Sequence, residues 1–206
     1  MAPPIISTTH PSASKPFLAG LEVLSISPTQ IRIRNIVISR CYDQTGATTN
    51  IVYAASTALP MAGPYTFSDT VNKLTVIGCD DSAQFWGYSQ AGTLTTSCGS
   101  MCSNSTVEMI DEFDGNCTGI GCCQTDIPKG LKVYEVLLSS FQNHTQVWLF
   151  NKCGYAFMGE QDGFHFRSDL SNISDPNFMN QVPIVLNFAI GSQSCVEAQN
   201  LHICAC

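Results

Sequence analysis

Apolar and polar residues alternate along much of the chain from Leu21 onward, with the period of two that is typical of half-buried β-strands. The clearest case is Gln30–Ser39, where isoleucines first alternate with arginines. The phase slips at Asn35 and Ile36, which predicts a β-bulge or a strand buried on both faces beyond this point. Other segments rich in β-branched and aromatic residues are also predicted strands: 66–68, 72–79, 131–138, 146–150, 155–158 and 164–166.

Helix signals are few. Ser174 followed by Pro176 predicts the start of a short helix that runs to Met179, and residues 106–113 form a second short candidate. The predicted fold class is therefore mainly β and disulfide-rich, with two small packed β lobes that divide near residue 105 and few short helices. Residues 1–16 are rich in Pro, Ser and Thr and are predicted to form a mobile tail.

Cysteine is unusually frequent: the chain has 11 cysteines but only 9 lysines and arginines. This density indicates an oxidising compartment and a disulfide framework in a secreted or cell-surface protein. A zinc site fits poorly, because metal motifs favour paired C-x2-C spacings, whereas Cys122 and Cys123 are adjacent. We therefore predict no metal site. The cysteines predicted to form disulfides, with the pairing left open, are Cys41, Cys79, Cys98, Cys102, Cys117, Cys122, Cys123, Cys153, Cys195 and Cys204.

The charge balance narrows the range of partners. The net charge is -7 and no basic stripe is present, which excludes nucleic acid as the expected partner. Charged residues make up only 12% of the chain, so glycans would help to keep its surface soluble. The chain offers four N-x-[ST] sequons as predicted glycosylation sites: Asn104, Asn116, Asn143 and Asn172.

The chain shows neither a signal peptide pattern at its start nor an apolar stretch of transmembrane length. Its longest apolar run, Val182–Ile190, is interrupted by Pro183 and Asn187. A secretory composition without a signal leads us to expect that the chain is a fragment of a longer protein.

Five segments, taken in order, resemble the ectodomain of plant wall-associated receptor kinases. The most specific contains Gly-Ile-Gly-Cys-Cys-Gln-Thr-Asp-Ile-Pro-Lys-Gly-Leu, and another is the C-x3-C pair formed by Cys98 and Cys102. The segments that carry the resemblance are 67–80, 98–102, 119–131, 148–157 and 182–198.

The resemblance implies a division of the chain. Residues 17–105 resemble a galacturonan-binding β domain, 106–194 the family's cysteine-rich region, and 195–206 the start of a truncated EGF-like repeat. The family's opening Cys-Gly-Asn and Ile-Pro-Tyr-Pro-Phe-Gly segments are absent, so a cysteine such as Cys41 is expected to have its partner in the missing part.

The function implied by the resemblance is an extracellular module at the apoplastic face of the plasma membrane. It would bind pectin or oligogalacturonides, which are acidic cell-wall polysaccharides, as part of a receptor-like serine/threonine kinase. The kinase and membrane-spanning parts are not in this chain, which is itself expected not to be an enzyme. The alternative is a glycosylated structural or protein-interaction spacer without its own sugar site.

Enzymatic functions fit the residues less well. A glycosidase needs two carboxylates that face each other across a sugar, whereas the neighbours Asp80 and Asp81 would point to opposite faces of a strand. We therefore expect these two residues to lie in a loop turn. A catalytic cysteine among so many others would be at risk of oxidation into a disulfide.

Sugar recognition needs aromatic faces for the rings and forked donors for carboxylates. Core packing or a solvated strand face is the alternative role for each candidate. The net charge opposes the binding of a polyanion, so a local basic patch, the missing segment or calcium would have to offset it. No cofactor is expected, although 111–116 resembles a weak calcium loop and calcium could bridge protein and pectin. The candidate ligand-binding residues are Arg32, Arg34, Arg40, Lys73, Trp86, Tyr88, Lys129 and Lys132.

Overall fold

The structure is a computed structural model that describes residues 15–52, 54–89, 92–102, 117–163 and 182–188. These residues form strands and one 3₁₀ turn, Gln161–Gly163. The strands are β1 (Phe17–Leu18), β2 (Leu21–Ile26), β3 (Gln30–Ile33), β4 (Ile38–Tyr42), β5 (Thr48–Val52), β6 (Ala54–Ala58), β7 (Tyr65–Phe67), β8 (Asn72–Ile77), β9 (Asp80–Ser89), β10 (Gly92–Met101), β11 (Thr118–Ile120), β12 (Cys122–Asp126), β13 (Val133–Ser140), β14 (Cys153–Glu160) and β15 (Ile184–Phe188). The prediction of a mainly β, disulfide-rich fold is confirmed.

The strands form three antiparallel sheets. A five-stranded sheet has the order β1-β2-β3-β15-β7, a four-stranded sheet the order β10-β9-β13-β6, and a six-stranded sheet the order β11-β12-β8-β14-β4-β5. One apolar core lies between them and takes residues from all three, such as Ile33, Phe85 and Leu74. Burial of this apolar surface is the main favourable contribution to the stability of such a fold.

The sheets are not divided at residue 105. Strands β13, β14 and β15, which follow that position, pair with β9, β8 and β3, which precede it. Each sheet therefore depends on both halves of the sequence, and the core is shared. The assignment of 17–105 and 106–194 to two family regions stays a prediction.

Most of the predicted strands that fall on described residues are present, with shifted ends, but two predictions are wrong. Gln30–Ser39 is not one bulged or doubly buried strand: β3 ends at Ile33 in the five-stranded sheet, and β4 begins at Ile38 in the six-stranded sheet. The phase slip at Asn35 marks the change from one sheet to the other.

The second error concerns residues 146–150, which form consecutive turns. The backbone N–H groups of Val147 and Phe150 donate to the carbonyls of His144 and Val147, as in successive turns. Asn143 and His144 just before them have φ angles of 53° and 59°, which a strand does not adopt. The predicted helices at 106–113 and 174–179 and the predicted strand at 164–166 lie outside the described residues.

Among the described residues, four disulfides fix the sheets: Cys41–Cys153, Cys79–Cys102, Cys98–Cys123 and Cys117–Cys122. Cys98–Cys123 joins β10 to β12 and thereby links the four-stranded sheet to the six-stranded sheet. The expectation that Cys41 lacks a partner within this chain is wrong, because it pairs with Cys153 across β4 and β14. Cys195 and Cys204 lie outside the described residues.

Candidate functional site

Arg32 in β3 and Arg34 just after β3 each form an ion pair with a glutamate. Arg32 donates to both carboxylate oxygens of Glu160, with Nε–Oε2 and Nη2–Oε1 distances of 3.0 and 2.5 Å. Arg34 contacts the Glu22 carboxylate at 2.7 Å, and that carboxylate also accepts from Lys15 at the same distance. Hydrogen bonds from Lys15 and then Arg34 lower the pKa of Glu22. These guanidinium groups are already neutralised locally, so they are poorly placed to grip a further carboxylate.

Two of the three candidate lysines are also engaged within the protein. Lys73 forms an ion pair with Asp126 across β8 and β12. Lys132 is only 7% exposed, and its ammonium group donates to the carbonyls of Gly63 and Tyr65 at 2.5 and 2.8 Å. Lys132 therefore anchors the 60–65 turn from within, and burial lowers its pKa.

Arg40 differs from these residues. No carboxylate among the described residues lies within ion-pair distance of it. Its guanidinium carbon lies 5.4 Å from the centre of the Tyr42 ring, and its Nε is buried without a hydrogen-bond partner. A buried donor without a partner is costly, which is a reason to ask what it binds.

Lys152 is a second cation without a carboxylate partner in this part of the chain, and it lies diagonally across from Arg40, on the other side of the Cys41–Cys153 pair. Its ammonium nitrogen is 4.8 Å from the centre of the Trp148 ring. The indole N–H of Trp148 donates to the Tyr42 carbonyl at 3.0 Å, and the Tyr42 amide donates to the Lys152 carbonyl at 2.9 Å. We call Arg40, Tyr42, Trp148 and Lys152 the cation–aromatic cluster.

The local fold explains why these residues meet. Cys41 is paired in register with Cys153 on antiparallel strands, so Arg40 lies opposite Gly154 and Lys152 lies opposite Tyr42, one residue to either side of the disulfide. Side chains alternate along a strand, so Arg40 and Tyr42 lie on one face of β4, and Lys152 continues β14 opposite Tyr42.

A loop at residues 141–152 carries Trp148 and Lys152, and Asp80 anchors its start. The Asp80 carboxylate accepts from the Ser140 hydroxyl at 2.6 Å and from the amides of Gln142 and His144 at 3.0 and 2.8 Å. The expectation that Asp80 and Asp81 lie in a loop turn is wrong: both begin β9 and are 5% and 0% exposed. Asp80 is therefore a structural anchor for the loop.

Asp81 forms a buried pair with His144 beneath the cluster. The distance from His144 Nε2 to Asp81 Oδ1 is 3.0 Å, and both side chains are fully buried. The other ring nitrogen, Nδ1, lies 2.9 Å from the Asn151 carbonyl. The His144 ring stacks on Tyr42 with a centroid distance of 4.6 Å. The pair therefore supports the aromatic ring over which Arg40 lies.

The remaining sequence candidates lie away from the cluster. Trp86 and Tyr88 alternate with buried residues on β9, on the outer face of the four-stranded sheet, and Glu135 is the register neighbour of Trp86. Lys129 is exposed in the turn after β12. Among the eight candidates, only Arg40 belongs to the cluster. Trp148 and Lys152 were not among the residues predicted from the sequence. The only sequence signal for Lys152 is that it directly precedes a cysteine, as Arg40 precedes Cys41.

Among the sequons, Asn143 falls on described residues. Its side chain is exposed in the same 141–152 loop, so a glycan there would stand near the cluster. Asn104, Asn116 and Asn172 lie outside the described residues, as does the 111–116 segment considered for calcium. No group of three or more His, Cys, Asp or Glu side chains in the described part of the chain could hold a metal ion. In the same part, no helix is long and apolar enough to span a membrane.

The cluster has the chemistry to hold an acidic sugar. Two cations that have no carboxylate partner among the described residues attract carboxylates, and a guanidinium can bind one in bidentate fashion. Trp148, which is partly exposed, offers an aromatic surface next to them.

Comparison with known proteins places the chain among plant receptors. It is 34% identical over 194 residues to wall-associated receptor kinase 2 of Arabidopsis thaliana, a match that covers 92% of this chain and 24% of that protein. Wall-associated receptor kinases 5 and 1 of the same plant are 33% and 32% identical, each over 65% of this chain and 18% and 17% of their own lengths. The chain thus spans about a fifth of the length of these curated relatives. No protein-family model and no solved structure matches it.

Proposed function

Since this chain belongs to the wall-associated receptor kinases as an ectodomain-like part, we propose that it binds pectin or its oligogalacturonide fragments outside the cell. The relatives are receptor kinases by name, and the chain matches about a fifth of their length, so the kinase of a whole receptor is a separate part. Pectin binding by this part of the receptor would be the extracellular signal to which the kinase responds.

The observation that carries the proposal is the pair of cations at the Cys41–Cys153 disulfide. Four of the described cations are paired with Glu22, Glu160 or Asp126. Of the other four, Lys132 is bound to backbone carbonyls and Lys129 lies in the turn after β12, whereas Arg40 and Lys152 flank one disulfide without a carboxylate partner among the described residues. Unesterified galacturonan carries a carboxylate on each sugar, so two neighbouring cations match two carboxylates of one chain. We therefore propose unesterified galacturonan, which carries a regular series of negative charges, as the ligand.

The net charge of -7 does not prevent such a site. At physiological salt, exposed charges farther apart than about 8 Å are largely screened, so local charges decide the affinity. Near the cluster, the Asp43 carboxylate accepts hydrogen bonds from the amides of Thr45 and Ala47 in the turn that follows it, at 2.8 and 3.0 Å. The hydrogen bond from the Thr45 side chain, and then these backbone bonds, lower the pKa of Asp43, so its carboxylate stays ionised and its repulsion reduces the affinity that the two cations can give.

The proposal predicts charge-dependent and sugar-specific binding. De-esterified oligogalacturonide should bind the secreted, glycosylated domain in calorimetry, and its affinity should fall as salt rises because two or more ion pairs are screened. Fully methyl-esterified oligogalacturonide and a neutral glucan of equal length are the matched controls and should bind at least about tenfold more weakly.

Parallel titrations with calcium and with a chelator separate direct binding from calcium bridging. Binding that persists in chelator supports the cluster as the site. Equal affinity for the acidic and esterified chains would reject the proposal and favour a role as a spacer or a protein-binding module.

A further inference from the structure

The two hydrogen bonds of the buried His144–Asp81 pair determine how many protons the pair must carry. The Asn151 carbonyl can only accept, so His144 Nδ1 must carry a hydrogen to make its 2.9 Å bond. The 3.0 Å contact between Nε2 and Asp81 Oδ1 then needs one further proton, on either atom. With that shared proton the pair has no net charge; without it, one negative charge remains in a fully buried place.

That charge would lie directly behind the ligand-binding cluster. His144 stacks on Tyr42 at 4.6 Å, and Arg40 lies over the same Tyr42 ring at 5.4 Å. A negative charge on the pair would weaken the positive potential at Arg40 and repel a ligand carboxylate. It would also remove a hydrogen bond that holds the 141–152 loop, and with it Trp148 and Lys152.

We infer that His144 is a positioning residue whose proton, shared with Asp81, keeps the cation–aromatic cluster competent to bind acidic sugar, so that binding is strong at acidic pH and weakens as the shared proton is lost. This inference rests on the proposed function for its ligand. The loosening of the loop, however, can be measured without any ligand.

The ionisable groups around the pair differ in their effect on the shared proton. Asp80 on β9 accepts three hydrogen bonds and adds negative potential that favours the retention of the proton. Arg40 on β4 favours its loss, and its guanidinium contacts the Tyr42 ring on which His144 stacks. Burial raises the pKa of Tyr42, which keeps its phenol neutral. Lys152 is directed at Trp148.

The pKa shifts support this geometry. Burial alone would lower the pKa of His144, but the hydrogen bond and charge of Asp81 raise it above the ordinary value of 6.5. Burial raises the pKa of Asp81 above 3.8, although its bond to His144 opposes the shift. The pair therefore holds its one shared proton more tightly in the folded protein than a free histidine would. The stabilisation that the shared proton gives to the folded protein is therefore complete below the ordinary pKa of histidine. It is lost as the pH rises through the raised pKa of His144.

The test uses two readouts on the glycosylated domain labelled with ¹⁵N-tryptophan and ¹⁵N-histidine. The Trp148 indole resonance, assigned by its loss in Trp148→Phe, reports its bond to Tyr42 without ligand. It is followed from about pH 5 to about pH 9, across the range in which a perturbed histidine titrates. Oligogalacturonide affinity is measured over the same range. Both should change together with a midpoint above 6.5, and the affinity should fall about tenfold, while His144→Gln should abolish the pH dependence of both.

The outcomes separate the two proposals. A Trp148 transition that follows the His144 ring titration in a domain that binds no oligogalacturonide would keep the proton-linked loop and reject the proposed ligand. Binding without pH dependence across the His144 titration would reject this inference and keep the ligand. If His144→Gln fails to fold, the ¹⁵N chemical shifts of the His144 ring in the wild-type domain provide the test. A titration midpoint at or below 6.5 would contradict the inference that His144 and Asp81 share a tightly held proton.

Discussion

Replacing Gly154 with alanine should prevent the domain from folding stably. A Cβ at this position would overlap the carboxyl group of Asp81, which is fully buried and bonded to His144. Gly78 also approaches the same carboxyl closely: a Cβ added to Gly78 would lie 2.9 Å from Asp81 Cγ and 3.3 Å from Gly154 Cα, so the carboxyl is tightly packed against both glycines. Either β14 separates from its neighbours or the pair breaks. Loss of a buried ion pair typically costs about 3–5 kcal/mol, a large part of the stability of a small domain.

The measurement is the yield of secreted protein and, for the protein recovered, the free energy of unfolding from denaturant titration. Gly163→Ala is the matched control, because Gly163 is exposed and its nearest neighbour, Pro183 Cδ, would be 3.4 Å from the new methyl group. That variant should unfold like the wild type. A Gly154→Ala protein with wild-type yield and an unchanged unfolding midpoint would show that the Asp81 carboxyl can move away from the new methyl group without cost.

Removing the Cys41–Cys153 disulfide should have the second largest effect. The bond closes a sequence separation of 112 residues, and chain-entropy estimates for loops of this size give about 4–5 kcal/mol. The other three disulfides lie inside this loop and shorten its effective length, so a loss of about 4 kcal/mol is expected from Cys41→Ala/Cys153→Ala. The disulfide also holds Arg40 and Lys152 at its two sides, so the affinity for oligogalacturonide should fall in the protein that remains folded.

The double variant Cys117→Ala/Cys122→Ala provides the control. It opens a disulfide with a sequence separation of only 5, for which the same estimate gives about 2 kcal/mol. Thermal unfolding of both variants at equal concentration makes the comparison. An equal loss of stability in the two would contradict the view that Cys41–Cys153 is the principal closure of the fold.

The strands could be predicted where the pattern of apolar residues is local. Asn72–Ile77 and Val133–Ser140 are central strands, and their β-branched and aromatic content is visible in the sequence. The change of sheet between Ile33 and Ile38 produced a visible phase slip, but a phase slip alone does not distinguish a bulge from a change of sheet. The turns at 146–150 were missed because their cause is the left-handed backbone of Asn143 and His144, which composition does not reveal.

The site could not be predicted from the sequence because the state of a cation depends on distant partners. Arg32 and Glu160 are 128 positions apart, and Lys73 and Asp126 are 53 apart, so nothing near either cation showed that it was neutralised. Conversely, Arg40 and Lys152 come to the two sides of one disulfide only because Cys41 pairs with Cys153, and the spacing of the cysteines left that pairing open. The sequence indicated the kind of chemistry to look for, and tertiary structure selected the residues.

The most direct test of the central claim compares two charge-matched double variants for binding to de-esterified oligogalacturonide. Arg40→Gln/Lys152→Gln removes the cluster cations. Lys73→Gln/Lys129→Gln removes the same net charge elsewhere; Lys73 pairs with Gly159, six residues along β14 from Cys153, roughly 20 Å away. We expect the first variant to lose at least about tenfold in affinity with most of the salt dependence, and the second to change little. Equal losses in both variants, or a cluster variant that binds like the wild type, would contradict the account.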